Sequence, residues 1–169
     1  MLEAEGNMLH VECDALVVTT NGFVKSDGSC VMGRGIAKQI ADLDPSIPFK
    51  LGSLINRYGN RVFLITNLNG VDILSFPVKP MSATFIGSNA VDHMASRFKR
   101  GDLIPGWACK ADPEIIEQSL MELVNLTAAN GYNRVICPRF GCGAGELDWN
   151  QIQPIAASIL DDRFTTYTF

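Results

Sequence analysis

No apolar run in this 169-residue chain is long: "ALVV" and "VFLI" are the longest, far short of the roughly 20 residues that span a bilayer as a helix. No membrane association is therefore expected. The opening "MLEAEGNMLHVEC" has neither a basic flank nor an apolar signal core, so a cytoplasmic location is expected. Basic residues are not in excess, with Lys+Arg 14 against Asp+Glu 18 and a formal net charge of −4. This argues against a general nucleic-acid binder, whose phosphate affinity comes from surplus Lys and Arg. Cysteines 13, 30, 109, 137 and 142 are odd in number and irregularly spaced, which predicts free thiols rather than a disulfide framework.

Histidine is scarce, His10 and His93 being the two. His10 and Cys13 lie three apart on an expected strand and so point to opposite faces, which excludes shared metal ligation. Cys137 and Cys142 lack the tight pairing of a zinc site, so no metal and no cofactor is expected. Asp92, His93 and Ser96 do not make a catalytic triad, because helical neighbours at i and i+1 do not face each other. Also missing are G-x-x-x-x-G-K-[ST] and G-x-G-x-x-G, which excludes a P-loop and a dinucleotide-binding Rossmann motif.

What remains is an α/β pattern on a length suited to a single domain, 1–169. "NMLHVE" and "DALVVTT" read as strands, the second apolar enough to be central. Helices are expected over Gly35–Leu43 and Phe49–Tyr58, then strands in "RVFLITNL" and "VDILSFPV" joined by an Asn-Gly hairpin. Asp112-Pro113 opens the clearest helix, which Asn130-Gly131 closes. "RVICP", "LDWNQIQPIAASIL" and "FTTYTF" follow as strand, helix and strand. The alternation predicts a three-layer α-β-α domain with a mixed central sheet. Between about 80 and 110 the pattern weakens, and this segment is expected to be an insertion or lid. Within it Asn89 should cap a helix carrying Val91, Met94, Ala95 and Phe98 on one side and ending at Gly101.

Two glycine stretches, "VMGRGIA" and "PRFGCGAGELDW", each fall between an expected strand and a helix. Glycine lets backbone N–H groups approach an anion, and a helix N-terminus adds partial positive charge, so a phosphate is the expected guest. Two such loops suit a diphosphate. Cys142 lies between loop glycines and near a helix N-terminus, where a thiolate is favoured, but it reads first as a small residue that fits the loop.

"DALVVTTN" followed by "VMGRGIA", and later "PRFGCGAGELDW", resemble the paired ligand loops of macro domains, the ADP-ribose-binding modules. The likeness extends over most of the chain. It leans towards the branch that reverses ADP-ribosylation of DNA or glutamate and towards small bacteriophage macro domains. The resemblance implies a partner that is ADP-ribose or an ADP-ribosylated macromolecule. It also implies one of three outcomes: hydrolysis of the ADP-ribosyl linkage, reading without chemistry, or removal of a 1″-phosphate. Carried over by position, Asp14 would accept from the adenine amino group and Asn21 would approach the distal ribose. Met32, Gly33, Gly35 and Ile36 would form the first loop, and Gly141, Cys142, Gly143, Ala144 and Gly145 the second. Phe140 or Phe169 would stack on a ring. Lys79, at the exit of a strand between Pro77 and Pro80, would reach the distal ribose as nucleophile or base. Lys110 is a second, weaker match for that role.

Overall fold

The computed structural model describes residues 1–168. Its main sheet has six strands: β1 (Leu2–Glu5), β2 (Ala15–Thr20), β3 (Leu64–Leu68), β4 (Val71–Pro77), β7 (Val135–Pro138) and β8 (Phe164–Thr168). They lie in the order β1-β8-β7-β2-β4-β3. Every neighbouring pair is parallel except β3 with β4, so the sheet is mixed. The β3–β4 hairpin turns at Asn69 and Gly70, with φ of 51° and 89°, the two positive values that an Asn-Gly turn supplies.

Helices cover both faces: α1 (Gly35–Leu43) and α2 (Ile47–Tyr58) on one, α4 (Pro113–Asn130) and α5 (Trp149–Ile159) on the other. The alternation of β2 explains why. Leu16 and Val18 join a core with Ile36, Ile40, Leu51 and Ile55, while Ala15 and Val17 join one with Ile116, Leu120, Ile152 and Ala156. A strand buried on both sides must be apolar at successive positions, as "ALVV" is.

Residues 80–110 build a small lobe of their own. Strands β5 (Ser82–Thr84) and β6 (Leu103–Pro105) pair antiparallel, with the single-turn helix α3 (Asp92–Ala95) between them. Phe85, Ala90, Ile104 and Cys109 make one small core, and Val91, Met94 and Ala108 another. The lobe closes at its base, where the Gly106 N–H donates to the Met81 carbonyl (2.9 Å). A side chain at Gly106 would overlap the Pro80, Asn21 and Met81 carbonyls.

Three sequence expectations are corrected. "NMLHVE" is a 3-10 turn over Met8–His10, because the Asn7 side chain accepts from the Leu9 N–H (3.0 Å). Such local bonding competes with strand pairing, and the strand instead precedes it at Leu2–Glu5. Asn89 does not cap a helix: its side chain accepts from Ile86 N–H (3.0 Å) and donates to the Thr84 carbonyl (2.9 Å). The helix is therefore short, Asp92–Ala95, and does not run to Gly101. Pro48 sits in the first turn of α2, which begins at Ile47 rather than Phe49.

Candidate functional site

Because β2, β4, β7 and β8 run parallel, their carboxyl ends meet along one edge of the sheet, where open α/β folds bind ligands. A cleft of about 910 Å³ lies there, at the upper end of the roughly 300–1,000 Å³ of ligand pockets. Thr20 at the end of β2, Asn21 after it, Lys79 after β4, Arg139 after β7 and Thr168 of β8 all border it. The first glycine loop leads from β2 to α1, and the second from β7 to α5.

The first loop is shaped by Asn21, whose Nδ2 donates to the Val31 carbonyl and whose Oδ1 accepts from Phe23 N–H, both at 2.9 Å. Met32 and Ile36 are buried in the α1–α2 core yet contribute to the cleft floor. Gly33 has open space where a side chain would project. Gly35 starts α1 at φ +57°, left-handed backbone that favours glycine. The residue before it, Arg34, makes no side-chain cap, so the first turn of α1 starts uncapped, and its residues Gly35, Ile36 and Ala37 border the cleft.

The second loop is held differently. Gly141 has φ +72°, and a side chain there would press on Ala111, Ile116 and Leu147; one at Gly145 would overlap the Gly141 carbonyl. Gly143 has open space. Among the described residues the N–H groups of Gly143, Ala144 and Gly145 have no backbone partner. At the start of helix α5 the Asp148 carboxylate accepts from Asn150 N–H at 2.9 Å, so one of its first-turn amides is already bonded to an acidic side chain.

Lys79 lies in the cleft wall and is 6% exposed. Its Nζ donates to the Ala144 carbonyl (2.9 Å) and, more weakly, to Trp107 (3.4 Å). An ammonium has three N–H groups, so one remains for the cleft. Burial pushes its pKa below the usual lysine value; the Arg34 charge acts in the same sense, and Cys109 and Glu146 oppose it.

Four expected site residues are placed elsewhere or otherwise engaged. Asp14 precedes β2, at the far end of the sheet. At ~3.3 Å per residue the six-residue strand puts it roughly 20 Å from the cleft. There its Oδ2 accepts from Asn133 N–H (2.7 Å) and Arg134 N–H (2.9 Å). Phe140 is fully buried and stacks on Phe76 at 4.4 Å between centroids, so it is core rather than a ligand platform. Lys110 does not border the cleft; its Nζ pairs with Asp92 (3.0 Å) and Glu146 (3.4 Å). Its bond to Asp92 holds its pKa above the usual lysine value. Cys142 borders the cleft, but burial pushes its thiol up to about 11, so it is not a thiolate. Phe169 falls outside the described residues.

Sequence reasoning missed much of the charged lining. Arg34, Arg97 and Arg139 border the cleft with Lys79, and Asp148 is its acidic side chain. Trp107, Trp149 and Tyr167 add aromatic surface, Arg139 stacking over Trp149 at 5.4 Å. The signal available was Arg139 and Arg34 lying inside the glycine motifs themselves. His93, rejected as a triad member, reaches across to Arg34, Nε2 to guanidinium at 3.1 Å. The second glycine loop ends in an acid: Glu146 accepts from Asp92 N–H at 2.9 and 3.2 Å.

The domain is thus α-β-α layered, with a cleft between two glycine loops at the strand ends. Among solved structures it has the macrodomain fold. The macrodomain of Mycobacterium tuberculosis DarG superposes with a TM-score of 0.70 at 21% identity, covering 99% of this chain and 97% of that one. The macrodomain of Thermus aquaticus DarG gives 0.70 at 20%, with 99% and 96% covered. Thermosipho africanus DarTG in complex with ADP-ribose gives 0.69 at 16%, covering 98% of this chain and 41% of that longer one. No family model and no curated protein matches the chain.

Proposed function

We propose that the cleft binds ADP-ribose, free or attached to a macromolecule, and that the protein hydrolyses the attachment. The observation that carries the binding is the convergence of loop amides unpaired among the described residues, the uncapped start of α1 and the side chains of Arg34, Arg97 and Arg139 on one cleft. Amides and guanidinium groups suit a diphosphate, and Trp149 and Tyr167 offer stacking surface for a base. The DarTG structure solved with ADP-ribose supports the same ligand. Binding in the micromolar range or tighter is expected, about −8 kcal/mol or better.

The hydrolytic part rests on Lys79. A lysine with a depressed pKa supplies some free amine near neutrality. Set at the distal ribose, that amine takes a proton from a water attacking C1″ while the bond from C1″ to the attached group breaks. Lys79→Ala should keep ADP-ribose binding within a fewfold and lose most turnover. Wild-type activity should rise with pH as Lys79 deprotonates, the rise centred below the ordinary lysine value. The assay uses ADP-ribosylated thymidine DNA, glutamate-modified protein and ADP-ribose 1″-phosphate side by side. Release from the first two supports hydrolysis, and release of phosphate alone points to a phosphatase. Binding without release from any of the three leaves a reader of ADP-ribosylation.

A further inference from the structure

Glu146 ends the second loop in left-handed backbone, φ +61°. Such a conformation is uncommon for a side chain with a Cβ and persists only where surrounding contacts hold it. Here those contacts are visible. Both carboxylate oxygens accept from the Asp92 N–H, the first amide of α3, at 2.9 and 3.2 Å. Lys110, at the end of the 80–110 lobe, lies 3.4 Å from the same carboxylate and 3.0 Å from that of Asp92. On the loop side, Glu146 N–H donates to the Gly143 carbonyl (3.0 Å), while the Gly145 carbonyl accepts from Ala111 N–H (2.9 Å).

The next residue along α3 meets the other glycine loop. His93 meets Arg34 of the first loop at 3.1 Å. Adjacent residues of the lobe are thus gripped by the two glycine loops, Asp92 through Glu146 and His93 through Arg34. The lobe in turn presents His93, Met94, Arg97 and Trp107 to the cleft. Glu146 itself does not border the cleft.

We infer that Glu146 is a positioning residue: it locks the second loop to the 80–110 lobe so that the loop amides and the His93–Arg97 wall face one ligand together. The inference rests on the reading of the cleft as an ADP-ribose site, and its signature separates it from a stabilising ion pair. Glycine tolerates φ +61°, so Glu146→Gly removes the grip while relaxing the backbone. Glu146→Gln keeps an oxygen that accepts from Asp92 N–H and loses the charge facing Lys110.

The test is calorimetry with ADP-ribose, thermal melting and amide hydrogen exchange on the full chain and both variants. Glu146→Gly should weaken ADP-ribose binding at least tenfold with its melting point within a few degrees of wild type. Its amides at 92–95 and 143–145 should exchange faster together. Glu146→Gln should recover most of the affinity. Affinity within twofold of wild type in Glu146→Gly overturns the role, as does a loss matched by general unfolding and not recovered by Gln. If the wild-type protein binds no ADP-ribose, the ligand reading fails and exchange decides alone. Acceleration at both stretches in Glu146→Gly then upholds the coupling, and unchanged exchange overturns it.

Discussion

Asp14 shows how one carboxylate can satisfy a motif and still serve another purpose. Its two backbone N–H bonds hold its pKa below the usual carboxylate range, and they tie the start of β2 to the approach to β7. Asp14→Ala should therefore leave ADP-ribose affinity unchanged and lower stability by about 1 kcal/mol, a charged hydrogen-bond contribution discounted for exposure. The sign with pH follows from the lowered value. The stabilisation is fully present above the unfolded carboxyl's pKa and is lost as pH falls through the folded one. Melting curves of wild type and Asp14→Ala should differ near neutrality and converge in acid. A drop in ADP-ribose affinity in this variant would return Asp14 to the site. Lys79, by contrast, borders the cleft where the resemblance to macro domains put it, at the exit of an apolar strand between two prolines. The two carbonyls it meets come from Trp107 and Ala144, distant in sequence, and nothing local announces them.

At the scale of elements, the glycines of the second loop divide into two kinds. Gly143 opens on free space, whereas a Cβ at Gly145 would meet the Gly141 carbonyl and Ala111. Gly143→Glu should fold normally and abolish ADP-ribose binding, since it sets a carboxylate where a phosphate should lie. Gly145→Ala should cost stability, about 1–3 kcal/mol as overpacking does. Calorimetry paired with thermal melting distinguishes them, and normal binding by a folded Gly143→Glu would remove the loop from the phosphate site. The main helices and β2, β4, β7 and β8 were readable because periodicity and caps are local: Asp112 and Pro113 start α4, and Gly131 ends it at φ +69°. Strand β1 was not, since Leu2–Glu5 is mostly exposed and owes its pairing to β8 at the opposite end of the chain. The 80–110 lobe was hard for a different reason: Phe85 packs near Phe98, 5.9 Å between centroids, a contact that is close in sequence but has no periodic signature.

Across the whole molecule, a formal charge of −4 coexists with a cleft bordered by Arg34, Lys79, Arg97 and Arg139. At 0.1 M salt the Debye length is about 10 Å, so a diphosphate feels the cleft cations rather than the remote acids. The dissociation constant for ADP-ribose should rise severalfold between about 0.05 and 0.5 M salt, the screening limits being those of exposed charges. Affinity independent of salt would mean that these cations do not face the phosphates. Composition argued against a general polyanion surface, and it was blind to a local one because charge counts carry no geometry.

The closed base of the 80–110 lobe bears on how the chain folds. Ser82 sits opposite Pro105 and Thr84 opposite Leu103, so the detour that leaves the sheet after β4 and leads into α4 begins and ends at nearly the same point. Loop-closure entropy grows only as the logarithm of length, and the contacts inside the detour are short in sequence, which favours rapid formation. The sheet can therefore assemble with the detour still open, and one wall of the cleft is free to change in length or composition over generations without disturbing the register of the strands beneath it.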